Sequence, residues 1–451
     1  MKAIIPTIKT LIICLLMISQ MGWAQLPKET EAQKAERMKW WTEARFGMFI
    51  HWGLYALPAR HEWVKHHERM TNEQYQKYFE NFDPDLYDPK EWARMAKEAG
   101  MKYVVLTSKH HEGFCLWDTR YTDYKSTNTP IGKDLIREFV EAFRAEGLKV
   151  GFYYSLLDWH HPDYTIDRNH PQRQESDADY DRLNKGKDMN RYRAYMKDQV
   201  RELLTNYGEI SIIWFDFSFP GKNGKGRDDW DSEGLLKLAR SLQPGIIVDD
   251  RLDLKDVEGG WDFTTPEQVK VAKRPEYNGK KIPWETCQTF SGSWGYYRDE
   301  TTWKSPAQLI ELLVESVSKG GNLLLNVGPT ARGIFDYRAR ERLEAIGEWM
   351  KYNSRSVYNC TEAPAGFRAP ANTLLTYNPA TKRLYIHLLA YPMGAMTLEN
   401  MADKVRYIQF LHDASEIRFT AGSNEQKNNL NLQLPVMKPP VEIPVLEVIL
   451  K

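Results

Sequence analysis

The strongest constraint on the fold of this chain is a regular alternation of short apolar runs with longer segments of helical spacing. The apolar runs lie at 46–53, 102–111, 149–157, 209–217, 246–251 and 322–329. Between them are amphipathic segments such as DLIREFVEAFRAEGL (134–148) and MNRYRAYMKDQVRELLTNYG (189–208). Nearly continuous apolar runs are typical of parallel strands that helices cover on both faces. Six or more such units predict an α/β fold, a (β/α)8-like barrel.

The pattern changes after residue 357. Short segments of alternating apolar and polar residues follow at 371–392, 405–422 and 440–450, with Pro, Asn and Gly between them. Such segments are typical of antiparallel strands joined by turns. We therefore predict two folded domains, the barrel at 25–357 and a C-terminal antiparallel β-sandwich at 358–451.

The first 24 residues have the pattern of a signal peptide. Lys2 and Lys9 supply positive charge, the apolar run TLIICLLMIS follows, and Gly22 and Ala24 offer small residues at a cleavage site. The apolar run is too short to cross a bilayer. We therefore expect cleavage near Ala24, a periplasmic or secreted protein, and no membrane span.

Composition narrows the classes of function. The chain has 61 Lys and Arg against 61 Asp and Glu, whereas a nucleic-acid binder normally carries a basic stripe. Beyond the signal peptide, Cys115, Cys287 and Cys360 are too few and too widely spaced for a disulfide framework. The Gly-rich fingerprint of a dinucleotide site does not follow the first apolar run. We expect neither a nucleic-acid partner nor a cofactor.

Polar residues recur where the predicted strands end. They are His51, Lys109-His110-His111-Glu112, Tyr153-Tyr154-Ser155, Asp216 and Asp249-Asp250-Arg251. Further carboxylates lie in HEW (61–63), TTPE (264–267) and PWETC (283–287). The carboxyl ends of parallel barrel strands meet at one rim, which is where barrel enzymes build their sites. We predict a pocket at this rim, with the Gly- and charge-rich segment 218–232 as a surface loop beside it.

These residue types suit a sugar. Two carboxyl groups can cleave a glycosidic bond, histidines and Arg251 can hydrogen-bond hydroxyl groups, and aromatic faces can cover the apolar side of a ring. Individually, each has an ordinary structural alternative. Asp216 could cap a helix, His51 could be a hydrogen-bonded core residue, and Glu267 and Glu285 could be solvated loop acids.

Six segments together resemble the α-L-fucosidases of glycoside hydrolase family 29. They are RFGMFIHWGLYALPARHEWV (45–64), SKHHEGFCLWDT (108–119), GFYYSLLDW (151–159), IIWFDF (212–217), WETCQTFSGSWGYY (284–297) and GGNLLLNVGPTARG (320–333). The resemblance runs in order from about residue 36 to the end. It implies a retaining double displacement on a barrel with a C-terminal β-sandwich, without metal or cofactor.

The resemblance also implies roles for individual residues. Asp216 is implied as the nucleophile; Glu267 is favoured as the acid/base, with Glu285 as its rival. Trp294 is implied to lie against the C6 methyl group of the sugar. The other implied sugar-binding residues are His51, Glu62, Trp63, His110, His111, Tyr153, Trp214 and Arg251.

Two other functions stay open on the sequence alone. One is a fucose-binding, lectin-like protein without turnover, and the other is a metal-dependent hydrolase. The pair His110-His111 invites a metal, but the site lacks an i, i+4 histidine pair or a Cys-x-x-Cys motif. The expected partner is a fucosylated oligosaccharide or glycoconjugate, and a homo-oligomer is left open.

Overall fold

The computed structural model describes residues 29–451, so the predicted signal peptide at 1–24 lies outside the described residues. The chain divides into two compact units between Arg37 and Met38. The second unit, Met38–Lys451, contains the sheets and the site described below. Helix Glu31–Ala44 (α1) begins in the first unit and ends in the second.

The described residues form the following further helices and strands. The helices are α2 Val64–His67, α3 Asn72–Glu80, α4 Pro89–Glu98, α5 Leu135–Ala145, α6 Asp177–Asn184, α7 Met189–Thr205, α8 Arg227–Trp230, α9 Ser232–Leu242, α10 Pro306–Ser318 and α11 Tyr337–Asn353. The strands up to residue 327 are β1 Phe46–Ile50, β2 Tyr103–Lys109, β3 Lys149–Ser155, β4 Ile212–Asp216, β5 Ile247–Val248, β6 Glu276–Tyr277, β7 Lys280–Lys281, β8 Glu285–Thr289 and β9 Asn322–Val327. The C-terminal strands are β10 Thr361–Glu362, β11 Thr373–Asn378, β12 Arg383–Leu388, β13 Ala395–Leu398, β14 Val405–Phe410, β15 Arg418–Ala421, β16 Leu430–Gln433 and β17 Val445–Leu450.

Seven parallel strands form the wall of the predicted barrel, in the order β5-β4-β3-β2-β1-β9-β8. The segment 262–268 lies between the two edge strands. The amide of Asp262 donates to the carbonyl of Val248 in β5 at 2.8 Å, and the amide of Gln268 donates to that of Cys287 in β8 at 3.0 Å. This segment therefore completes the ring, and the predicted (β/α)8-like barrel is confirmed.

Side chains cap the N-termini of the helices that cover this wall. Asp134 accepts a hydrogen bond from the amide of Arg137 at the start of α5, and Ser305 and Gln308 form a capping box at the start of α10. Such caps satisfy amides that lack a partner within the helix. Helix α5 then buries an apolar face that includes Phe139 and Phe143 against the strands. The periodic helices predicted from sequence are present to within a few residues at each end.

The barrel interior is filled by alternate residues of each strand, because successive strand residues point to opposite faces. Its core contains Phe49, Tyr103, Val105, Tyr153, Ile212, Trp214, Ile247, Cys287 and Leu324. Gly47 is required here because a β-carbon at this position would lie 2.3 Å from the Tyr103 ring. The same alternation directs His51, Asn326 and Asp216, two residues beyond Phe49, Leu324 and Trp214, toward the interior at the carboxyl end.

The C-terminal strands form the predicted antiparallel β-sandwich. A five-stranded sheet, β10-β11-β12-β17-β14, and a three-stranded sheet, β13-β16-β15, share one apolar core. Ile386 and Val448 come from the first sheet, and Leu398 and Leu432 from the second. Strands β10, β13 and β16 lie outside the three segments predicted from sequence. The indole of Trp349 in α11 donates to the carbonyl of Ile443 at 2.9 Å, which connects the barrel to the sandwich.

The predicted domain boundary at 357/358 stays a prediction. The last strand of the barrel sheet ends at Val327 and the first strand of the sandwich begins at Thr361, but the two regions belong to one compact unit. Across residues 29–451, no helix is both long and apolar enough to span a membrane.

Candidate active site

Ten of the twelve residues proposed from sequence line one pocket at the carboxyl ends of the strands, here called the inner pocket. They are His51, Trp63, His110, His111, Tyr153, Trp214, Asp216, Arg251, Glu267 and Trp294, and they are joined there by Phe49, Phe217 and Cys287. The inner pocket opens into a larger outer cleft of about 1260 Å³. Trp63, Asp216, Phe217, Arg251, Glu267 and Trp294 line both.

Two carboxyl groups in the inner pocket bind the same guanidinium group. Arg251 donates from Nη1 to Asp216 and from Nη2 to Glu267, each at 2.8 Å. Its Nε donates to Thr265 at 2.9 Å, which fixes the plane of the group. Burial by itself would lower the pKa of Arg251, but the carboxylates of Asp216 and Glu267 raise this pKa above its ordinary value. The arginine therefore stays cationic and keeps the two carboxyl groups side by side.

Asp216 is held at both oxygens. Arg251 occupies Oδ1, and the hydroxyl of Tyr153 donates to Oδ2 at 2.7 Å. Burial raises the pKa of Tyr153, and the charge of Asp216 raises it further, so the hydroxyl remains a donor. Nε2 of His111 lies 3.9 Å from the same Oδ2. Asp216 ends β4 and does not cap a helix, which excludes the alternative considered from sequence.

Hydrogen bonds fix the tautomer of His51. The side-chain amide of Asn326 donates to the carbonyl of Trp294 at 2.6 Å, so its oxygen must accept from Nδ1 of His51 at 2.7 Å. The Nε2 atom of His51 is then left without a proton. Burial lowers the pKa of His51 well below its usual range, and His110 lowers it further, so the ring is neutral. It can accept a hydrogen bond from a hydroxyl group.

His111 is arranged in the same way. The hydroxyl of Ser155 donates to the carbonyl of Leu157 at 2.9 Å and therefore accepts from Nδ1 of His111 at 2.7 Å. Burial, followed by the neighbouring histidines, lowers the pKa of His111 well below its usual range. Its Nε2 is a second acceptor for a hydroxyl group. These two rings suit a polyhydroxylated ligand.

The paired histidines follow the end of β2, which stops at Lys109, and their ring centroids are 4.0 Å apart. Their Nδ1 atoms turn to different partners. That of His110 lies 3.3 Å from Glu112, and that of His111 hydrogen-bonds Ser155. Within residues 29–451, no group of three or more His, Cys, Asp or Glu side chains could hold a metal ion. The prediction that the site uses no metal remains to be measured.

Glu62 lines the outer cleft and supports the Trp294 loop. Its Oε2 accepts from the hydroxyl of Ser293 at 3.1 Å and from the amides of Trp294 and Gly295 at 3.1 and 2.9 Å. The sequence assigned Glu62 to the sugar itself. The structure shows that one of its oxygens is occupied by protein donors, so at least part of its role is to position Trp294.

Glu285 lies at the opposite end of the barrel from the inner pocket. It begins β8 beside Asn322, the first residue of β9, and accepts from the hydroxyl of Tyr103, the first residue of β2. Burial raises the pKa of Glu285 to about 7, although the hydrogen bond from Tyr103 acts in the opposite direction. The interpretation of Glu285 as a solvated loop acid is wrong, because it is a fully buried strand residue. It lines neither the inner pocket nor the outer cleft.

Sequence reasoning missed Asn326 and Phe217. Asn326 orients both His51 and Trp294, and the signal was a polar residue inside the apolar strand NLLLNV. Phe217 follows Asp216 and has a φ of 83°. A positive φ at a phenylalanine has no signature in a single sequence, so nothing in the sequence could have identified it.

Two carboxyl groups and neutral hydroxyl acceptors at the carboxyl rim of a (β/α) barrel define the class of protein, a glycoside hydrolase. The α-L-fucosidase family model matches residues 17–355. This match covers most of the chain, and the chain therefore belongs to the α-L-fucosidase family.

Individual relatives agree with this assignment. The α-L-fucosidase of Dictyostelium discoideum is 31% identical over 388 residues, which are 79% of this chain and 78% of that protein. The tissue α-L-fucosidase of Homo sapiens is 29% identical over 435 residues, 90% of this chain and 86% of that protein. Neither a lectin-like protein nor a metal-dependent hydrolase is favoured by these relatives.

Solved structures are similar along nearly the whole chain. The α-L-fucosidase isoenzyme 1 from Paenibacillus thiaminolyticus has a TM-score of 0.86 at 44% identity, covering 93% of this chain and 99% of that one. The family 29 α-L-fucosidase from Bacteroides thetaiotaomicron has a TM-score of 0.79 at 28% identity, covering 95% and 97%. A further structure of a Bacteroides thetaiotaomicron α-L-fucosidase is described as a trapped covalent intermediate.

Proposed function

We propose that this protein is a retaining exo-α-L-fucosidase in which Asp216 is the nucleophile and Glu267 the acid/base. The observation that carries the proposal is the bridging of both carboxyl groups by Arg251. Retaining glycosidases need two carboxyl groups about 5 to 5.5 Å apart, close enough for one to attack as the other protonates. One shared guanidinium group holds the two carboxyl groups close together, each 2.8 Å from its own Nη atom.

The two carboxyl groups differ in burial, and the difference suits a nucleophile and an acid/base. Asp216 is buried and held by two donors, which suits a group that must attack along one direction. The side chain of Glu267 is 41% exposed and lines the opening to the outer cleft, where a leaving group and an incoming water can reach it. Glu285 lies at the far end of the barrel, and this position supports Glu267 over its rival.

The reaction then takes two steps. Glu267 reacts in its protonated form. An oxygen of Asp216 attacks the anomeric carbon of α-L-fucose while Glu267 gives its proton to the departing glycosidic oxygen, which forms a β-fucosyl-enzyme and a free aglycone. Glu267, now ionised, takes a proton from water, and this water displaces Asp216 to release α-L-fucose. Both residues return to their starting states.

The remaining inner-pocket residues would bind the sugar. Nε2 of His51 and Nε2 of His111 accept from hydroxyl groups, and the His110 ring stacks 5.8 Å from the ring of Tyr153. Trp294 packs 5.1 Å from the His51 ring and offers an apolar face for the C6 methyl group. Since the inner pocket is small and the outer cleft is large, one terminal fucose enters and the rest of a fucosylated oligosaccharide or glycoconjugate remains outside.

The stereochemical course tests this proposal. The protein should hydrolyse an aryl α-L-fucoside, and proton NMR should detect α-L-fucose before any β anomer. Asp216→Asn is the matched control and should give no product on the same time scale. Release of β-L-fucose first, or hydrolysis by Asp216→Asn at the wild-type rate, would contradict the assignment.

We also propose that the protein is exported to the periplasm or the outside of the cell after removal of residues 1–24. The support is the charged, apolar and small-residue pattern of the N-terminus. N-terminal sequencing of protein recovered from a fractionated native host should begin at Gln25. Full-length protein confined to the cytoplasm would argue against export.

A further inference from the structure

Phe217 has a backbone conformation that glycine adopts easily and phenylalanine rarely does. Its φ is 83°, and it directly follows Asp216. A β-carbon and a large ring are unfavourable in this region, and such residues persist where the surrounding structure holds them and function benefits.

The backbone on each side of Phe217 is fixed by hydrogen bonds. The carbonyl of Asp216 accepts from the amide of Leu156 at 3.0 Å. Two residues further on, Phe219 and Lys225 exchange backbone hydrogen bonds of 2.8 and 3.2 Å, which closes the loop between them. Phe217, with its positive φ, lies between these two fixed points.

The Phe217 ring lies at the junction of the inner pocket and the outer cleft, both of which it lines. The ring centroid is 5.0 Å from that of His111 and 5.4 Å from that of Trp63. Any group attached to a sugar in the inner pocket must pass this junction. The ring is therefore placed beside the bond to be cleaved and next to the aglycone.

We propose that Phe217 is a specificity-determining residue whose ring packs against the first sugar of the aglycone; this inference rests on the proposed fucosidase activity. An aromatic ring suits the apolar face of a pyranose. The arginine and lysine side chains that line the outer cleft are paired: Arg227 with Asp256, Lys255 with Asp250, and Arg251 with Asp216 and Glu267. The cleft therefore favours a neutral aglycone sugar over a sialylated or sulfated one.

Two substrates distinguish a contact with the aglycone from a contact with the fucose. The leaving group of α-L-fucosyl fluoride is a single atom, whereas that of 2′-fucosyllactose is a neutral disaccharide. Phe217→Gly should lower kcat/KM for the trisaccharide about tenfold or more beyond any loss on the fluoride, because only the trisaccharide presents an aglycone sugar to the ring. Phe217→Ala should show the same selective loss.

The same two variants also distinguish the effect of losing the ring from the effect of relieving the backbone strain. Phe217→Gly should unfold at a higher temperature than Phe217→Ala, because glycine relieves the positive φ and alanine does not. Lys382→Gly is the matched control, since Lys382 has a φ of 53° in the turn between β11 and β12, far from the site. It should leave the ratio of the two kcat/KM values unchanged.

Equal losses on both substrates would overturn the proposal and assign the ring to the fucose pocket through His111. Unchanged activity on both would overturn it as well. If wild-type protein hydrolyses neither substrate, the proposed function itself fails, and this result is distinct from a failure of the Phe217 proposal alone.

Discussion

Arg251, which follows β5, donates a hydrogen bond of 2.8 Å to Asp216, the last residue of the neighbouring strand β4. The arginine also stacks its guanidinium 4.5 Å from the ring centre of Trp214, two residues before Asp216. One side chain therefore fixes the orientation of the proposed nucleophile and connects it to Glu267. Substitution of each carboxyl group in turn should separate their roles.

Asp216→Gly should fold and lose at least about a thousandfold in kcat on aryl α-L-fucoside, because no other group replaces the covalent nucleophile. Added azide should enter the vacated space and give β-fucosyl azide, detectable by NMR. Thermal unfolding near the wild-type midpoint is the control for folding. Turnover near the wild-type rate would remove Asp216 from this role.

Glu267→Ala should lose far more activity on fucosylated oligosaccharides than on aryl fucosides with good leaving groups, which need little protonation. Azide should rescue it with formation of α-fucosyl azide. The measurement is a plot of kcat/KM against leaving-group pKa for wild type and variant. A uniform loss across leaving groups would disprove the acid role.

Glu285→Gln should keep most of the activity and change the pH dependence of stability. The pKa of Glu285 is about 7 in the folded protein and near 4.5 when unfolded, so the unfolded state binds fewer protons between these values. Wild-type stability should therefore fall as the pH rises from about 5 to 8, by an amount on the order of 3 kcal/mol from this group.

The glutamine cannot ionise, so Glu285→Gln should lack that part of the decrease. Denaturant unfolding of both proteins at pH 5 and pH 8 measures the difference. A parallel pH dependence in the two proteins would show that Glu285 is already ionised. The same variant serves as the control for Glu267→Ala, and a selective loss on poor leaving groups here would transfer the acid/base role to Glu285.

His51→Ala should weaken binding of a fucose-configured iminosugar by about 1 to 3 kcal/mol, the cost of leaving a buried polar partner unsatisfied. Asn326→Ala should weaken it similarly, because Asn326 holds the His51 proton on Nδ1. Since the two act through one hydrogen bond, the double variant should be less impaired than the sum of the single changes. Titration calorimetry measures the binding free energy of the wild type, the two single variants and the double variant. Additive losses would show that the two residues act independently.

Exhaustive chelation should leave both L-fucose binding and hydrolysis unchanged, because hydrogen bonds to hydroxyl groups explain the histidines. Elemental analysis of active protein measures the number of metal ions per chain. One zinc per chain, together with loss of activity when it is removed, would favour a metal-dependent hydrolase.

Much of the architecture and most of the site could be predicted from the sequence. Apolar runs alternating with amphipathic segments identify parallel strands and covering helices because burial on both faces requires such runs. Polar residues at the strand ends stand out against them, as in IIWFDF, where Asp216 follows four apolar residues. Strand β8 escaped prediction because WETCQTF mixes polar and apolar residues, and its inward positions include Glu285 and Cys287.

What the sequence by itself determined was therefore the order of the elements, the family resemblance and the candidate residues. Only the tertiary structure decided which carboxyl groups meet. Glu267 and Glu285 both occur in short polar motifs, but a strand has two ends, and Glu285 begins its strand whereas Glu267 lies at the opposite rim beside Arg251. The positions of Asp216, Arg251 and Glu267 depend on closure of the ring between β5 and β8, a contact between segments distant in sequence that local residue patterns do not encode.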